Sequence, residues 1–411
     1  MNPSCGGPSQ GIRNSIPELA RLGVHNEVVC LDDPGAPYLS NDTFPIHAIG
    51  VGKGASNYNA ELIPWLLGNF SHFDAVIVHG LWLYHSHAVQ KALKLYKRRL
   101  LTGGQNKSKT PKLFVMPHGM LDPYFQKTPN RRFKAVRNWI YWKLIECRVI
   151  NQADGIFFTC EEELLLARTT FWPYKPKLEI NIGYGIPNPS AYTSILSNAF
   201  LARCPEVKGR PYFLFLSRIH EKKGVDLLIK AYTALLAANL EAESYLAYCN
   251  TASRKVGPFP AGGVLPVLVV AGPGLDTAYG RQIRRLAAAL PAAAVYFPGM
   301  LTGDAKWGAF YGCEAFVLPS HQENFGIAVA EALACGKPVL ISNQVNIWRE
   351  IAAGGGGTVE DDTLPGTQRL LQGWCRLTQD QKQAMSNCAL ATYRQHFAIE
   401  GAAQKMAAAL Q

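Results

Sequence analysis

The sequence has little of what would mark a membrane-spanning, metal-dependent or disulfide-bonded protein. It contains no Asp-x-Asp pair of the kind that holds a divalent cation, no Cys-x-x-Cys, and no Ser/His/Asp pattern typical of hydrolases. No run of about 18 apolar residues occurs, which argues against a transmembrane helix. The first residues also lack the basic and apolar regions of a secretory signal. The ten cysteines are scattered, so reduced core thiols and a cytoplasmic location are expected.

Acidic residues are also scarce relative to basic ones, and the excess positive charge is uneven. The chain has 41 Lys and Arg against 30 Asp and Glu, a net charge of +11. Residues 1–210 carry 24 basic and 15 acidic residues, whereas residues 211–411 carry 17 and 15. A basic N-terminal half could meet nucleic acid, anionic lipid or an acidic substrate. No nucleic-acid-binding motif accompanies the charge, so a nucleic-acid partner is not expected.

The most basic segment, Lys127–Arg148, is interleaved with aromatic residues. Within it, Phe133, Val136, Ile140 and Leu144 recur at roughly helical spacing. One interpretation is a helix that lies on an anionic membrane surface. The other, slightly favoured, is an ordinary packed helix with a solvated basic face.

Apolar, strand-like runs alternate with helical runs in both halves of the chain, and 411 residues exceed one ordinary core. The pattern predicts strands at Val28–Leu31, Ala75–Val78, Lys112–Met116, Gly155–Thr159, Tyr212–Ser217, Val267–Ala271, Val295–Phe297, Ala315–Leu318 and Val339–Ser342. It predicts helices at Gln10–Leu22, His87–Leu101, Val225–Ala238 and Tyr279–Ala289. The predicted fold class is therefore α/β, with two doubly wound, Rossmann-like domains.

The domain boundary is expected where prolines, serines and polar residues cluster. We predict an N-terminal domain at residues 1–185, a linker at 186–210, a C-terminal domain at 211–388 and a helical segment at 389–411. Two polar, glycine-rich segments, Thr102–Lys109 and Asn250–Leu265, are predicted to be mobile surface loops.

Two glutamates eight positions apart, Glu323 and Glu331, form the most informative pattern. Gly326 opens a predicted helix between them, and the backbone N–H groups of the first turn of a helix favour an anion such as phosphate. The helix stops at Cys335 and a buried strand follows. One carboxylate could hold one part of a ligand, and the other a second part about a sugar ring away.

This stretch resembles the Glu-x7-Glu signature of retaining glycosyltransferases of family 4, which have the GT-B fold. The resemblance implies two Rossmann-like domains facing a central cleft, with the last helix returning toward the N-terminal domain. It also implies that Glu323 contacts hydroxyls of the donor sugar and that Glu331 contacts the ribose of the nucleotide. The residues between them that match the motif are Asn324, Phe325, Gly326 and Ile327.

A second segment, Ser217–Gly224, resembles the family's Gly-Arg-x4-Lys-Gly segment, with Ser217 in place of the first glycine. The resemblance places Arg218 and Lys223 on the diphosphate of the donor. Arginine supplies a fork of donors and lysine a compact charge, as a departing diphosphate requires.

Two loops of the N-terminal half also match the family. His118, in Pro-His-Gly after a predicted strand, matches a histidine that meets the donor sugar near its reacting carbon. The glycine-rich loop with Gly6 and Gly7 resembles one that approaches donor phosphate or acceptor, although an ordinary turn explains a glycine pair equally well.

Two further loops carry weaker signals. The His79–His85 loop should face the acceptor side, or is an aromatic packing loop. Met300 and Leu301 match a region that borders the nucleotide base, or belong to a plain strand-to-helix turn.

The resemblance implies a retaining transferase that moves a sugar from a UDP- or GDP-linked donor to a polysaccharide or lipid-linked acceptor. It implies an α-glycosidic bond and no metal or cofactor. A non-hydrolysing nucleotide-sugar epimerase and a non-catalytic sugar-binding protein remain alternatives. Donor sugar, base and acceptor stay open.

The start of the chain departs from the family pattern. Such a domain begins with a hydrophobic strand that leads into the glycine-rich loop, but Met1 stands five residues before Gly6 and Pro3 disfavours a strand. We expect either that the reading frame begins upstream of Met1, which we favour, or that the sheet has a gap.

Overall fold

The computed structural model describes residues 1–2, 7–102, 109–127, 132–249 and 264–411, with the side chains of 241–249 left out. It divides into two compact units. Unit 1 comprises Met1–Gly185 and Ile399–Gln411, and unit 2 comprises Ile186–Ala398. The predicted loops at Thr102–Lys109 and Asn250–Leu265 lie almost wholly outside the described residues, and Gly6 lies outside them too.

Unit 1 alternates strands and helices along the chain. Its strands are β1 (Val28–Cys30), β2 (Ile46–Ala48), β3 (Ala75–His79), β4 (Lys112–Met116), β5 (Gly155–Phe158) and β6 (Glu179–Asn181). Its helices are α1 (Gly7–Arg21), α2 (Leu62–Asn69), α3 (Tyr84–Thr102), α4 (Tyr124–Lys127), α5 (Arg132–Tyr141), α6 (Cys147–Gln152), α7 (Glu161–Thr170) and α16 (Ile399–Leu410). A π-helical turn, Trp142–Glu146, joins α5 to α6.

The strands of unit 1 form two parallel sheets, one with the order β3-β4-β5-β6 and a separate pair β1-β2. β4 and β5 are almost wholly buried, as their continuous apolar sequences predict. β3 is an outer strand, and its residues Val76 and Ile77 are only partly buried. The expected strand ahead of Met1 stays a prediction.

Unit 2 begins with helix α8 (Ser194–Leu201) and then alternates regularly. Its strands are β7 (Tyr212–Leu216), β8 (Val267–Ala271), β9 (Val295–Gly299), β10 (Ala315–Leu318), β11 (Val339–Ser342) and β12 (Gly357–Glu360). Its other helices are α9 (Val225–Cys249), α10 (Ala278–Ala288), α11 (Gly303–Gly312), α12 (Ile327–Ala334), α13 (Trp348–Gly354), α14 (Leu364–Arg376) and α15 (Gln379–Thr392).

The six strands of unit 2 form one parallel sheet with the order β12-β11-β10-β7-β8-β9. The first strand of the unit, β7, therefore lies in the middle, and the chain winds outward first to one side and then to the other. This is the doubly wound Rossmann arrangement. The direction reverses between β7 and β10, so the loops at their carboxyl ends border the crevice where ligands bind in such sheets.

Four predicted strands have the observed bounds, and the other five differ by one or two residues at an end. The strands β2, β6 and β12 were missed. Each is three or four residues long and only partly buried, so none has an extended apolar run. Helix α9 continues to Cys249, beyond its predicted end at Ala238.

The predicted linker at residues 186–210 is wrong, because this segment belongs to unit 2. Helix α8 lies within it, and Leu196 and Phe200 of this helix are buried. The helix packs closely on α11, where a side chain at Gly308 would collide with the carbonyl oxygen of Leu196. This helix was not predicted because it is short and is flanked by prolines and serines, which are typical of loops.

The predicted final segment, 389–411, is also divided between the units. Residues up to Ala398 belong to unit 2, whereas α16 belongs to unit 1, where it packs on α1.

The sequence predicts no transmembrane helix and reduced core thiols, and both predictions can be compared with the described residues. Within them, no helix has both the length and the hydropathy needed to cross a bilayer. The eight cysteines whose side chains are described are free, and most are buried. Burial raises the pKa of Cys313, Cys335 and Cys375 to about 12, so these thiols are inert core groups.

Candidate functional site

The loops that follow β7 and β10 bring the predicted basic and acidic residues of unit 2 together. Arg218 and Lys223 lie between β7 and α9, and Glu323 lies between β10 and α12. Because β7 and β10 are neighbouring parallel strands, both loops emerge at the same edge of the sheet. That edge is the point at which the strand order reverses.

The loop after β7 is fitted tightly against the loop after β10. Gly224 has φ +65°, and a Cβ there would collide with the carbonyl oxygen of Pro319, so only glycine allows this approach. The Ser320 hydroxyl donates to the carbonyl of Lys222 (2.9 Å), and so does the backbone N–H of His321 (2.8 Å). These contacts hold the basic turn in place.

Lys223 and Glu323 form an ion pair in this arrangement. Only 6% of Lys223 is exposed, whereas Arg218 is exposed. The backbone of Glu323 is fixed as well, since its N–H donates to the carbonyl of Gln344 and its carbonyl accepts from the N–H of Asn346 (2.9 Å each). The residue predicted to bind the diphosphate, Lys223, is therefore in direct contact with the residue predicted to bind the sugar, Glu323.

The charge of Lys223 depends strongly on its surroundings. Burial, followed by the nearby charges of Lys222 and Arg218, lowers the pKa of the Lys223 ammonium. The Glu323 carboxylate favours the charged form. An anion bound beside Lys223 would add to that effect, so anion binding and protonation of Lys223 favour each other.

This linkage predicts a pH dependence. Above pH 7 the affinity for a nucleoside diphosphate should fall as pH rises toward 9.5, because a lysine with a lowered pKa loses its proton there. A Lys223→Arg variant should show a much flatter profile, since arginine stays charged. Isothermal titration calorimetry across this range measures the effect. Equal slopes for the wild type and Lys223→Arg would contradict the assignment of the pH dependence to Lys223.

Glu331 lies in the second turn of α12 and pairs with a lysine that the sequence reasoning missed. Its carboxylate is 2.8 Å from the ammonium of Lys306 on α11. Burial raises the pKa of Glu331 and the Lys306 charge opposes this, so the lysine helps to keep the carboxylate ionised. Lys306 also lies over the ring of Trp307, 4.2 Å from the centroid. The signal in the sequence that could have pointed to Lys306 is its position in the first turn of the helix that follows Met300 and Leu301.

The remaining motif residues support this arrangement. Gly326 has φ +79° and caps α12. Ile327 begins the helix, the Asn324 side-chain oxygen is buried, and Phe325 packs edge-on against Phe397 with centroids 5.7 Å apart. After β9, Met300 is exposed and Leu301 is buried.

In unit 1, His118 lies in a turn directly after β4. Its φ is +53°, which is unusual for a residue other than glycine, and Gly119 follows with φ +77°. The Gly119 N–H donates to the Glu163 carboxylate, which also accepts from the Thr159 N–H (2.8 Å) and hydroxyl (2.6 Å). Glu163 thus ties the His118 turn to the end of β5. The sequence reasoning missed it because three successive glutamates suggest a solvated helix start.

Two histidines of the His79–His85 loop lie beside this turn. His79 Nδ1 is 3.0 Å from His118 Nε2, and His85 Nε2 donates to the carbonyls of His79 (3.1 Å) and Gly80 (3.2 Å). Burial lowers the pKa of His118 well below its ordinary value and that of His79 to about 4. Both rings are therefore neutral near pH 7. The loop takes part in the His118 site rather than only packing aromatic side chains.

The described part of the glycine-rich loop is short. Gly7 is the first residue of α1, and its carbonyl accepts a hydrogen bond from the Tyr184 hydroxyl. Unit 1 thus holds His118 and Gly7, whereas the other described candidate residues all belong to unit 2.

Two Rossmann-like units, the second with a basic pair and two glutamates at its strand-order reversal, have the architecture of glycosyltransferases of the GT-B fold. Sequence models of glycosyltransferase families match both halves. The model for glycosyl transferases group 1 matches residues 264–372, and that for the glycosyl transferase 4-like domain matches residues 6–177. The chain belongs to this family of GT4-type glycosyltransferases, which confirms the predicted family and fold class.

Curated relatives match over shorter stretches. A D-inositol 3-phosphate glycosyltransferase of Catenulispora acidiphila is 31% identical over 157 residues, which are 37% of this chain and 32% of that protein. A second one, from Nocardiopsis dassonvillei, is 28% identical over 218 residues, or 52% of this chain and 46% of that protein. The matches therefore span a third to a half of these relatives.

Solved structures share the fold over nearly the full length. A glycosyltransferase of Rickettsia africae has a TM-score of 0.70 at 14% identity and covers 98% of this chain and 94% of its own. HepE of Anabaena, solved with UDP and glucose, has a TM-score of 0.64 at 17% identity and covers 98% and 96%. At these identities the likeness concerns the fold.

Proposed function

We propose that the protein transfers a sugar from a nucleotide-sugar donor to a glycan or lipid-linked acceptor with retention of configuration, forming an α-glycosidic bond. The observation that carries this proposal is the contact between Lys223 and Glu323 at the strand-order reversal of unit 2, beside Arg218. There a cation for the diphosphate adjoins a carboxylate for the sugar that the diphosphate carries.

Each residue has a role in this proposal. Arg218 and Lys223 stabilise the negative charge that develops on the diphosphate as the bond from the anomeric carbon to the phosphate oxygen breaks. Glu323 holds sugar hydroxyls, Glu331 holds the ribose, and His118 donates a hydrogen bond to the sugar. The acceptor hydroxyl attacks the anomeric carbon from the face that the diphosphate leaves, and its proton passes to the departing phosphate oxygen. No protein nucleophile is required.

The donor is proposed to carry UDP or GDP, with Met300 and Leu301 bordering the base. HepE of Anabaena was solved with UDP-glucose, which supports a nucleotide-sugar donor in a protein of this fold. Incubating the protein with labelled UDP- and GDP-sugars and candidate acceptors tests the proposal. Acceptor-dependent release of the nucleoside diphosphate, with an α-linked product by NMR, is expected. Epimerised donor without transfer would instead support the epimerase alternative.

Metal independence is a separate prediction. Because Arg218, Lys223 and the N-terminus of α12 supply positive charge at the diphosphate, transfer activity should persist in excess EDTA. Turnover with and without the chelator measures this directly. Loss of activity in EDTA, restored by Mg²⁺ or Mn²⁺, would contradict the metal-free mechanism.

We also propose that α5 contacts an anionic membrane surface that presents the acceptor. The packed-helix interpretation does not account for the apolar residues at helical spacing, which are exposed, although Trp142 of the same segment is fully buried. Phe133 is 94% exposed, and Val136, Trp139, Ile140 and Leu144 are exposed as well. Lys143 lies over the rings of Trp139 and the 76% exposed Trp172, which joins them in one patch. Aromatic rings beside basic side chains suit the bilayer interface.

The membrane proposal predicts binding to anionic vesicles. Replacing Arg131, Arg132 and Lys134 by glutamine should reduce the bound fraction in a sedimentation assay, and high salt should do the same. Replacing Arg281, Arg284 and Arg285 of α10 by glutamine removes the same charge elsewhere and should have little effect. Equal binding to anionic and neutral vesicles would contradict the proposal.

A further inference from the structure

His79 and His118 form a direct pair between two adjacent strand ends. β3 and β4 are parallel neighbours, and His79, the last residue of β3, pairs in register with Met116, the last residue of β4. His118 follows two residues later, and its Nε2 lies 3.0 Å from Nδ1 of His79. The two rings are nearly parallel, with an angle of 23° between their planes. The fold of unit 1 therefore brings one ring nitrogen of His79 onto one ring nitrogen of His118.

The contact couples the positions of the two protons. Both rings are neutral, so each has a single N–H. A hydrogen bond between the facing nitrogens requires a proton on one of them and a lone pair on the other. If His79 has its proton on Nδ1, His118 must accept at Nε2 and has its own proton on Nδ1.

The backbone on both sides of the pair is held in place. The His85 imidazole donates to the carbonyls of His79 and Gly80, which requires its own proton on Nε2. On the other side, the Glu163 carboxylate accepts from the Gly119 N–H and stabilises the left-handed turn at His118. These hydrogen bonds fix the backbone from which the two rings extend.

We infer that His79 is a positioning residue: it donates through Nδ1–H to His118 Nε2 and so holds the His118 proton on Nδ1. That nitrogen is then the donor available to a hydroxyl of the sugar. The inference rests on the proposed role of His118 in donor binding. The fixed tautomer of His118 decides whether its free ring nitrogen donates a hydrogen bond to the sugar or accepts one from it.

Long-range ¹H–¹⁵N NMR of the ligand-free, ¹⁵N-histidine-labelled protein tests the tautomer without reference to activity. The His118 signals, assigned with a His118→Asn variant, should show a protonated Nδ1 and an unprotonated Nε2. His79→Leu should move the proton toward Nε2, and His79→Asn, whose amide can replace the Nδ1–H donor, should restore the wild-type pattern. The exposed residue His25, changed to leucine, is the matched control and should leave the signals unchanged.

Steady-state kinetics distinguish a positioning role of His79 from a general loss of folded protein. His79→Leu should lower kcat by about 10-fold or more, as loss of a residue that orients a reactive histidine does. Nucleotide affinity, which depends on residues of unit 2, should stay unchanged, and His79→Asn should recover most of kcat.

A protonated Nε2 at His118 in the wild type would overturn the inference, as would unchanged His118 signals in His79→Leu. If the NMR results agree with it but no variant or wild type transfers sugar, the tautomer coupling stands and the proposed function fails. The two failures are therefore distinguishable.

Discussion

Replacing Lys223 or Arg218 by alanine should lower turnover by about 10²-fold or more, because each removes a cation from the leaving diphosphate in the transition state. The effect of Lys223→Ala should be the larger of the two. Lys223 is buried and paired with Glu323, so its loss also leaves that carboxylate without its cation, whereas Arg218 is exposed. Steady-state kinetics with a saturating donor measure the loss.

A surface lysine provides the control for this experiment. Lys230 on α9 pairs with Asp226 in an exposed i,i+4 arrangement, so Lys230→Ala removes the same charge with little expected change in turnover. Melting temperatures of all variants separate lost chemistry from lost folding. Near-normal turnover in both Arg218→Ala and Lys223→Ala would remove these residues from the mechanism.

The two glutamates should have different effects when replaced by alanine. Glu331→Ala should mainly weaken binding of the free nucleoside diphosphate, because Glu331 is proposed to hold the ribose. Glu323→Ala should mainly lower the rate of sugar transfer. Each lost hydrogen bond to a charged group should cost about 1.5–3 kcal/mol, or roughly 10- to 150-fold in the affected constant.

Calorimetric titration with UDP and GDP, combined with transfer kinetics, resolves the two effects. Glu360→Ala, which removes an acid paired with Arg369 on the surface, is the control. If free UDP and GDP bound Glu331→Ala as tightly as they bind the wild type, the ribose assignment would be wrong.

Much of the unit 2 site could be predicted because its residues are close in sequence to fixed elements. Glu323 and Glu331 flank a helix start, and Arg218 and Lys223 lie between a strand and a helix. Parallel strands place such loops at one edge of the sheet, so a sequence position translates into a spatial one. The contact between Lys223 and Glu323 could not be predicted, since it depends on how closely the loop at Gly224 approaches Pro319.

Other contacts of the candidate site could not be predicted from the sequence, because they depend on how separate elements pack. Lys306 and Glu163 are charged residues in the first turns of helices, and only packing shows that Lys306 contacts Glu331 and that Glu163 holds the His118 turn. The partnership of His79 and His118 joins residues 39 positions apart. Helical spacing of apolar residues predicts a buried face for α5, whereas Phe133, Val136 and Ile140 on that face are exposed.

The most direct test of the central claim is a thermal-shift measurement of nucleotide binding by the wild type and by Lys223→Ala. A nucleoside diphosphate at a hundredfold excess over its Kd should stabilise the wild type by about 2.7 kcal/mol. For a domain of this size that raises the melting temperature by about 5–10 °C. We predict this shift for UDP or GDP, a much smaller one for the corresponding monophosphate, and its loss in Lys223→Ala. No shift with UDP, GDP, ADP or their sugars, or an equal shift in Lys223→Ala, would contradict the assignment of unit 2 as the donor-binding unit.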